Sequence, residues 1–190
     1  MGKYRIAILA SGSGTNAEEI IKYFSRHAEI KVSLVLSNNP NAQVLERAKK
    51  YSISTEVFNR DQFKDSETVL QSLKAYQITH IVLAGFLWLI PDYLISAFPD
   101  RIINIHPSLL PRHGGKGMYG SKVHEAVKIS GDQETGITIH LVNAHYDEGK
   151  VIFQASCNVE AFHSPEEIAK CVHQLEYEHY PKVIEKWILN

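Results

Sequence analysis

Asn104 and His106 are two residues whose types and spacing suit chemistry on a carbonyl group. They lie in the segment Asn-Ile-His-Pro-Ser-Leu-Leu-Pro at residues 104–111. Side chains two positions apart in a strand point to the same side, and Pro107 keeps His106 extended because the residue before a proline disfavours the α region. An amide can donate a hydrogen bond to a developing oxyanion and an imidazole can donate a proton, so the pair suits a carbonyl that becomes tetrahedral. The alternative is a strand end whose polar side chains only cap the next loop.

A carboxylate that could assist this pair is Asp147, in the turn Tyr-Asp-Glu-Gly at residues 146–149. If it faces His106 within about 4–6 Å, it favours the imidazolium and holds a proton ready near neutral pH. The alternative is an ordinary turn aspartate. His140 alternates onto the same strand face as Thr138, and its alternative role is that of a hydrogen-bonded structural histidine.

A metal site is a further possibility, because five histidines fall within a short stretch of the chain. They are His106, His113, His124, His140 and His145. None of them forms a helical i, i+4 pair with a catalytic Glu, and the nearest cysteine is Cys157. The sequence therefore predicts a site without metal.

A glycine-rich segment between the first predicted strand and the first predicted helix suits anion binding, because backbone N–H groups can approach a phosphate there. It consists of Ser11, Gly12, Ser13, Gly14, Thr15 and Asn16. With Ala17 it also satisfies the loose dinucleotide pattern G-x-G-x-x-G/A. That pattern expects a carboxylate at the end of the second strand, where this chain reads Ser37-Asn38-Asn39, so a monophosphate is the better prediction. A tight turn without a ligand is the alternative.

The elements that must position these residues alternate between short apolar runs and amphipathic segments, which is typical of a parallel sheet wrapped by helices. The predicted strands are Tyr4–Ala10, Lys31–Ser37, Ser54–Phe58, His80–Ala84, Arg101–Ile105, Thr135–Asn143 and Val151–Val159. The predicted helices are Asn16–Arg26, Ala42–Tyr51, Asp65–Tyr76 and Leu87–Phe98, followed by a long C-terminal helix capped by Ser164. Only a short loop separates the last two strands, which predicts an antiparallel hairpin. The predicted fold class is α/β, a Rossmann-like, mostly parallel sheet with helices on both faces and a C-terminal antiparallel hairpin.

Composition limits the setting more than the chemistry. The chain of 190 residues is expected to form one domain over residues 1–190. Twenty Lys and Arg residues balance 21 Asp and Glu, so the net charge of −1 gives no electrostatic signature of a nucleic-acid partner. The two cysteines favour a reducing compartment and argue against a disulfide scaffold. No apolar run has the length of a signal-peptide core or of a membrane span, so the expected location is cytoplasmic.

Five motifs together give the chain a resemblance to a known family. They are Ser-Gly-Ser-Gly-Thr-Asn at 11–16, Leu-Ala-Gly-Phe at 83–86, Asn-Ile-His-Pro-Ser-Leu-Leu-Pro at 104–111, Gly-Ile-Thr-Ile-His at 136–140 and Asp-Glu-Gly-Lys-Val-Ile at 147–152. The chain resembles the phosphoribosylglycinamide formyltransferase family, nearly from end to end. The central motif is shared by the wider formyltransferase family, and the phosphate loop narrows the resemblance to the phosphoribosylglycinamide formyltransferases.

The resemblance implies transfer of the formyl group of 10-formyltetrahydrofolate to the amine of glycinamide ribonucleotide in purine synthesis. It implies that Asn104, His106 and Asp147 are catalytic, with His106 the proton donor and Asp147 the group that raises its pKa. The implied ribonucleotide site consists of Gly12, Ser13, Gly14, Thr15, Asn16 and Glu176. The implied folate site consists of Leu87, Trp88, Leu89, Ile90, Asn104 and His140. No metal, nucleic acid or membrane is implied, and the protein is expected to be a monomer or a homodimer.

Two positions depart from the family's pattern. Trp88 stands where an Arg is expected, and Ser66 stands near the position of a basic residue that contacts folate. The loop from Arg112 to Gly120 is rich in glycine, which favours a mobile lid.

Three rival functions stay open at this stage. A formyltetrahydrofolate deformylase would admit water to the same three residues, but that family carries an additional N-terminal domain, and here the first strand begins at about Tyr4. A methionyl-tRNA formyltransferase would need a surface for RNA, usually a C-terminal domain, whereas this chain ends at Asn190 without a basic patch. A nonenzymatic nucleotide-binding Rossmann module would use the glycine-rich loop and leave His106 and Asp147 idle.

Overall fold

The computed structural model describes residues 2–64 and 66–190, and the side chain of Ser66 lies outside the described part. The strands are β1 (Tyr4–Leu9), β2 (Ile30–Ser37), β3 (Ser54–Val57), β4 (His80–Leu83), β5 (Ile102–His106), β6 (Glu134–Leu141) and β7 (Val151–Asn158). The helices are α1 (Thr15–Phe24), α2 (Gln43–Lys50), α3 (Arg60–Lys64), α4 (Ser66–Ala75), α5 (Asp92–Ala97), α6 (Ser121–Ser130) and α7 (Pro165–Leu189).

The strands form one sheet of order β3-β2-β1-β4-β5-β6-β7. The first five in this order pair in parallel, whereas β6 is antiparallel to both β5 and β7. This arrangement confirms the predicted fold class, including the C-terminal hairpin. Because β2 lies on one side of β1 and β4 on the other, the strand order reverses between β1 and β4.

Alternating strand residues supply two separate cores, because a strand directs successive side chains to opposite faces. Ile6 and Ile8 of β1 pack in a cluster with apolar residues of α1, α2 and α7. Ala7 and Leu9 pack in a second cluster with residues of the segment from α3 to α5. The side chains of β1 are buried on both faces, as expected for a parallel strand covered by two layers of helices.

The long helix α7 begins as its sequence predicts. The Ser164 hydroxyl accepts a hydrogen bond from the backbone N–H of Glu167, and the Glu167 carboxylate accepts one from the backbone N–H of Ser164. Ile168, Val172 and Ile184 of α7 are buried in the first core cluster. The helix thus spans the sheet and delivers its middle turns to the site described below.

Some elements differ from their prediction. The expected helix over residues 87–98 is wrong in its first half, since α5 begins only at Asp92. Ile90 precedes Pro91 and is therefore disfavoured in the α region, which ends any helix that would cross this position. The helices α3 and α6 were not predicted, and the predicted start of α4 at residue 65 lies outside the described residues.

The cysteines also differ from the expectation. Cys157 of β7 and Cys171 of α7 form a disulfide, with their Cα atoms 6.8 Å apart. A separation of 14 residues gives no sign of this pairing, because only the packing of α7 against the end of the sheet brings the two residues together.

Gly136 of β6 is required by close packing against the edge strand β7. A Cβ atom at this position would overlap the backbone carbonyl oxygen of Ala155 and lie 2.8 Å from the Cα of Ser156. The obstacle is backbone, so no side-chain rotation relieves it.

We expect Gly136→Ala to lower the free energy of unfolding by about 3 kcal/mol or more, at the upper end of the cost of overpacking. Denaturant unfolding measures the loss. The control is Gly12→Ala, because a Cβ there has no described heavy atom within 4 Å. Equal losses in the two variants would contradict the packing argument.

Candidate active site

The segments that carry the predicted site residues meet at one edge of the sheet. The glycine-rich loop follows β1, residues 87–90 follow β4, and Asn104 and His106 lie at the carboxyl end of β5; these three parallel strands are neighbours in the sheet. The loop after β6 supplies Asp147 and helix α7 supplies Glu176. In open α/β sheets ligands bind outside the carboxyl ends of the strands, at the point where strand order reverses. A pocket at this position is lined by residues of the glycine-rich loop, by residues 87–90, and by Asn104, His106, His140, Asp147 and Glu176. Every residue predicted for the site therefore lies around the same pocket.

The glycine-rich loop connects β1 to α1 and is held by backbone contacts. Gly14 adopts φ 74° and ψ 27° as the N-cap of α1, a left-handed conformation that glycine adopts without steric cost. A Cβ on Gly14 would also lie 2.7 Å from the Cα of Val44. The backbone N–H of Val44 donates to the carbonyl of Gly12 at 3.2 Å, and the Arg47 Nε donates to the carbonyl of Ser13 at 2.8 Å. The loop thus places the N-terminus of α1 at the pocket, where an anion would be stabilised.

Glu176 of α7 closes the same end of the pocket. It is 5% exposed, and its Oε2 accepts a hydrogen bond from Asn16 Nδ2 at 2.9 Å. Burial raises the pKa of the Glu176 carboxyl to about 7, and the hydrogen bond from Asn16 lowers it only in part. A carboxyl group with a pKa near neutrality can donate a hydrogen bond to a polar ligand when it is protonated and accept one when it is ionised.

Asn104 and His140 are brought together by the register of β5 against β6. They are direct cross-strand partners, and Asn104 Nδ2 donates to His140 Nε2 at 3.2 Å. His140 Nδ1 lies 2.8 Å from the carbonyl oxygen of Leu141, to which it donates. His140 is therefore a hydrogen-bonded histidine that orients the Asn104 amide toward the pocket.

His106 ends β5 and is almost fully buried. Its Nδ1 lies 3.4 Å from Asp147 Oδ2, and its Nε2 lies 2.8 Å from the backbone carbonyl oxygen of His113. Asp147 thus faces His106, as the proposed assistance by its carboxylate requires. Both nitrogens of the imidazole face groups that only accept hydrogen bonds.

Asp147 lies in the loop between β6 and β7 with φ 57°, which is uncommon for a residue other than glycine. Its Oδ2 accepts a hydrogen bond from the backbone N–H of Gly115 at 2.9 Å, and its Oδ1 lies 3.6 Å from His140 Nε2. The carboxylate thus contacts two histidines and the loop over residues 112–120.

The charge balance at this cluster sets the pKa values of Asp147 and His106. Burial alone would raise the pKa of the Asp147 carboxyl, but the neighbouring imidazoles of His140 and His106 and the backbone N–H of Gly115 hold it below its ordinary value. For His106, burial lowers the pKa of the imidazole, and Asp147 and the carbonyl of His113 offset this only in part. Asp147 thus raises the pKa of His106, as expected, but burial outweighs this effect, so the net pKa of His106 lies below its ordinary value in the protein without ligand. Asp147 reduces the cost of protonating a buried ring, which favours protonation at the moment a neighbouring oxyanion forms.

Residues 87–90 form an irregular segment along the pocket. Leu87 and Leu89 are 43% and 40% exposed, whereas Ile90 is buried. Trp88 packs near the rings of Phe58 and Phe63, and the guanidinium of Arg60 lies over the Trp88 ring at 5.0 Å. The two exposed leucines give the pocket an apolar rim, which suits a flat aromatic ligand.

Three histidines that line the pocket were not predicted for it, namely His124, His145 and His173. His124 of α6 is buried, its Nδ1 has no hydrogen-bond partner among the described residues, and burial lowers its pKa to about 4. His173 of α7 lies across from it, with ring centroids 6.2 Å apart. The spacing of His173 and Glu176 is i, i+3 on one helix, which places both on the same face. This spacing was the signal in the sequence from which His173 could have been predicted to lie at the same pocket as Glu176.

The five histidines between residues 106 and 145 are candidate metal ligands by residue type. Within residues 2–64 and 66–190, no group of three or more His, Cys, Asp or Glu side chains has an arrangement that could hold a metal ion. His106, His113 and His140 instead contact protein oxygen atoms. In the same part of the chain, no helix combines the length and apolar character that crossing a membrane requires.

The buried Glu176 makes a testable contribution to stability. Its folded-state pKa of about 7 exceeds its ordinary value of 4.5, so the folded protein retains a proton that the unfolded chain has lost between these pH values. Stability therefore falls as the pH rises through this window. We expect the free energy of unfolding to lose on the order of 3 kcal/mol between about pH 4.5 and 7 relative to Glu176→Gln.

Denaturant unfolding of the two proteins across this pH range measures the effect. The histidines are the same in both, so the difference between the curves isolates Glu176. Parallel curves would show that the carboxyl titrates normally.

The family of the chain follows from comparison with known proteins. Residues 4–184 match the model of the formyl transferase family. The chain is 39% identical over 186 residues to the chloroplastic phosphoribosylglycinamide formyltransferase of Arabidopsis thaliana, covering 95% of this chain and 64% of that protein. It is 32% identical over 187 residues to the phosphoribosylglycinamide formyltransferase of Bacillus subtilis, covering 96% of this chain and 93% of that protein. The chain thus spans less than two thirds of the plant relative and nearly all of the bacterial one.

Solved structures agree with the sequence relatives. The phosphoribosylglycinamide formyltransferase of Bacillus halodurans superposes with a TM-score of 0.86 at 35% identity, covering 96% of this chain and 94% of that one. The corresponding protein of Streptococcus pneumoniae superposes with a TM-score of 0.85 at 30% identity, covering 97% and 99%. Sequence and architecture agree, and the chain belongs to the formyl transferase family, among the phosphoribosylglycinamide formyltransferases.

Proposed function

We propose that this protein transfers the formyl group of 10-formyltetrahydrofolate to the amine of glycinamide ribonucleotide, giving formylglycinamide ribonucleotide and tetrahydrofolate in purine synthesis. The observation that carries the proposal is that one pocket joins a phosphate-type loop to the cluster of Asn104, His106 and Asp147. A reaction between two bound molecules needs both binding features close to the reacting groups. The relatives in two bacilli and in Arabidopsis are named phosphoribosylglycinamide formyltransferases, which supports the same formyl acceptor.

The ribonucleotide is assigned to the α1 end of the pocket. Gly12, Ser13, Gly14, Thr15 and Asn16 surround the N-terminus of α1, where the partial positive charge of the helix favours a phosphate. Glu176, hydrogen-bonded to Asn16, faces the remainder of the nucleotide and can bind its amide or ribose hydroxyls.

The folate is assigned to the opposite side of the pocket. Leu87, Trp88, Leu89 and Ile90 line its wall, and Asn104 and His140 supply polar contacts beside them. This arrangement brings the formyl group toward Asn104 and His106.

The reaction we propose is direct transfer without a covalent protein intermediate. The uncharged amine of the ribonucleotide attacks the formyl carbon, and the oxyanion that develops accepts hydrogen bonds from Asn104 Nδ2 and from protonated His106. Asp147 stabilises the imidazolium and assists the movement of a proton from the attacking amine toward the leaving folate nitrogen. Most of the rate gain comes from holding two substrates together and from stabilising charge in a site that excludes water.

The proposal extends to the domain organisation, the oligomeric state and the partners of the protein. We propose one functional domain over residues 1–190, a monomer or homodimer, no metal and no nucleic-acid partner. The cytoplasmic location stays a prediction, and the relatives named above include a chloroplastic protein.

Deformylation is the second candidate function, because the same three residues could direct water at the formyl carbon. It is less favoured since a deformylase has no use for the phosphate-type loop at the same pocket. In well-oriented intramolecular reactions, effective concentrations reach about 10⁵ M or more. A bound amine with such an effective concentration would react with the formyl carbon faster than water does.

The two functions differ in their dependence on the ribonucleotide. We expect release of tetrahydrofolate to be slower by orders of magnitude without glycinamide ribonucleotide, and each folate released to match one formylated ribonucleotide. Pterin absorbance and mass spectrometry of the nucleotide measure the two products. Rapid folate release without ribonucleotide would overturn the transferase and favour the deformylase.

The proposed roles of His106 and Asp147 predict a loss of turnover without a loss of fold. We expect His106→Ala and Asp147→Asn each to lower kcat by about 100-fold or more. Asn tolerates the positive φ of position 147, so Asp147→Asn keeps the backbone and removes only the charge. Glu178→Gln, which removes an exposed carboxylate of α7, serves as a control with normal turnover. Near-normal turnover of Asp147→Asn would refute its role.

A further inference from the structure

The two ring nitrogens of His106 have different partners. Nε2 lies 2.8 Å from the carbonyl oxygen of His113, within hydrogen-bond distance, whereas Nδ1 lies 3.4 Å from Asp147 Oδ2. A carbonyl oxygen only accepts hydrogen bonds, so Nε2 must carry a hydrogen. The neutral ring is therefore the Nε2–H tautomer, and the proton that His106 gains and loses is on Nδ1, beside Asp147.

The position of the His113 carbonyl depends on an unusual backbone conformation. His113 has φ 53°, a left-handed value that costs free energy for a residue with a side chain. Such a conformation persists only where the surroundings hold it. The His113 side chain points away from the pocket, and its Nε2 lies 2.7 Å from Asp132 Oδ2.

The contact between His113 and Asp132 is a largely buried hydrogen bond. The two side chains are 16% and 20% exposed. The hydrogen bond to His113 is the main cause that holds the pKa of the Asp132 carboxyl below its ordinary value, and Arg112 and Ser130 contribute to it. Asp132 lies in the turn between α6 and β6, outside the lining of the pocket, so this contact connects that turn to the catalytic cluster.

The residue before His113 is held as well. The Ser108 hydroxyl donates to the carbonyl of Arg112 at 2.6 Å, and the Arg112 guanidinium lies 3.3 Å from Glu134 Oε1. The loop backbone is thus fixed on the N-terminal side of His113, and the Asp132 contact fixes His113 itself.

We propose that His113 and Asp132 are a positioning pair for the transfer reaction: they hold the His113 carbonyl against His106 Nε2 and so direct Nδ1 to Asp147 and the reacting formyl group. Neither residue lines the pocket. Without the pair, the loop carbonyl leaves Nε2, and the stronger acceptor Asp147 draws the hydrogen of the neutral ring to Nδ1. The ring then presents the wrong tautomer and a looser orientation to the amine and the formyl oxygen. The catalytic part of this inference rests on the proposed function.

The first test measures the tautomer in the protein without substrates. Nitrogen-15 NMR of the imidazole at roughly pH 8, where His106 is neutral, reports which nitrogen carries the hydrogen. We expect the Nε2–H tautomer in the wild type and a shift toward Nδ1–H in Asp132→Ala, while Glu46→Ala, which removes an exposed ion pair of α2, leaves the spectrum unchanged. Unchanged His106 signals in Asp132→Ala would overturn the proposal. This result is independent of which molecule accepts the formyl group.

The second test measures turnover. We expect Asp132→Ala to lower kcat by about 10-fold to 100-fold, the range for misplacing a catalytic group, with KM for both substrates within about 2-fold. Asp132→Asn keeps an oxygen acceptor for His113 and should recover most of the loss. Normal kcat in Asp132→Ala would overturn the proposal.

His113→Gly separates positioning from stability. Glycine adopts a positive φ without strain, so this variant should stay at least as stable as Asp132→Ala in thermal unfolding. It has no side chain to bind Asp132, so its kcat should still fall by about 10-fold or more. A folded His113→Gly protein with wild-type kcat and the Nε2–H tautomer would show that the pair has only a structural role.

Discussion

The antiparallel pairing of β5 with β6 is the constraint on which the candidate site depends. It sets Asn104 opposite His140 and His106 opposite Thr138. A shift of one residue would turn every side chain of one strand to the other face, separating Asn104 and His106 from His140. The register is maintained by apolar residues on the opposite face, where Ile105 and Ile139 are buried in the core. Packing on one side of the sheet therefore fixes chemistry on the other.

Burial and charge oppose each other throughout the cluster. Removing His106 from water disfavours its protonated form, while the Asp147 carboxylate favours it. In the protein without ligand, the net effect lowers the pKa of His106. A developing oxyanion nearby would favour the protonated form of the ring. The Asp147 carboxylate remains charged because His140, His106 and a backbone N–H surround it. A site of this kind keeps its catalytic charges ready only by supplying partners for each of them.

The pocket combines two kinds of binding surface because two layers of the fold meet there. The N-terminus of α1 and the middle of α7 supply polar groups on one side of the sheet. The segment after β4 supplies apolar groups on the other, where Trp88 packs with Phe58 and Phe63. A charged, hydrophilic molecule and a flat, aromatic one can therefore be held on either side of one reacting centre.

The sequence by itself determined the alternation of strands and helices, the hairpin, the capped α7 and the residue types at Asn104, His106 and Asp147, because periodicity, caps and side-chain chemistry are local properties. It misplaced α5 and gave no sign of the Cys157–Cys171 bond. Only the tertiary structure decided that the net pKa of His106 is lowered, since burial is a property of the packed site. The tertiary structure alone also showed that Asp132 is hydrogen-bonded to the His113 side chain. Contacts between distant segments depend on how the elements pack.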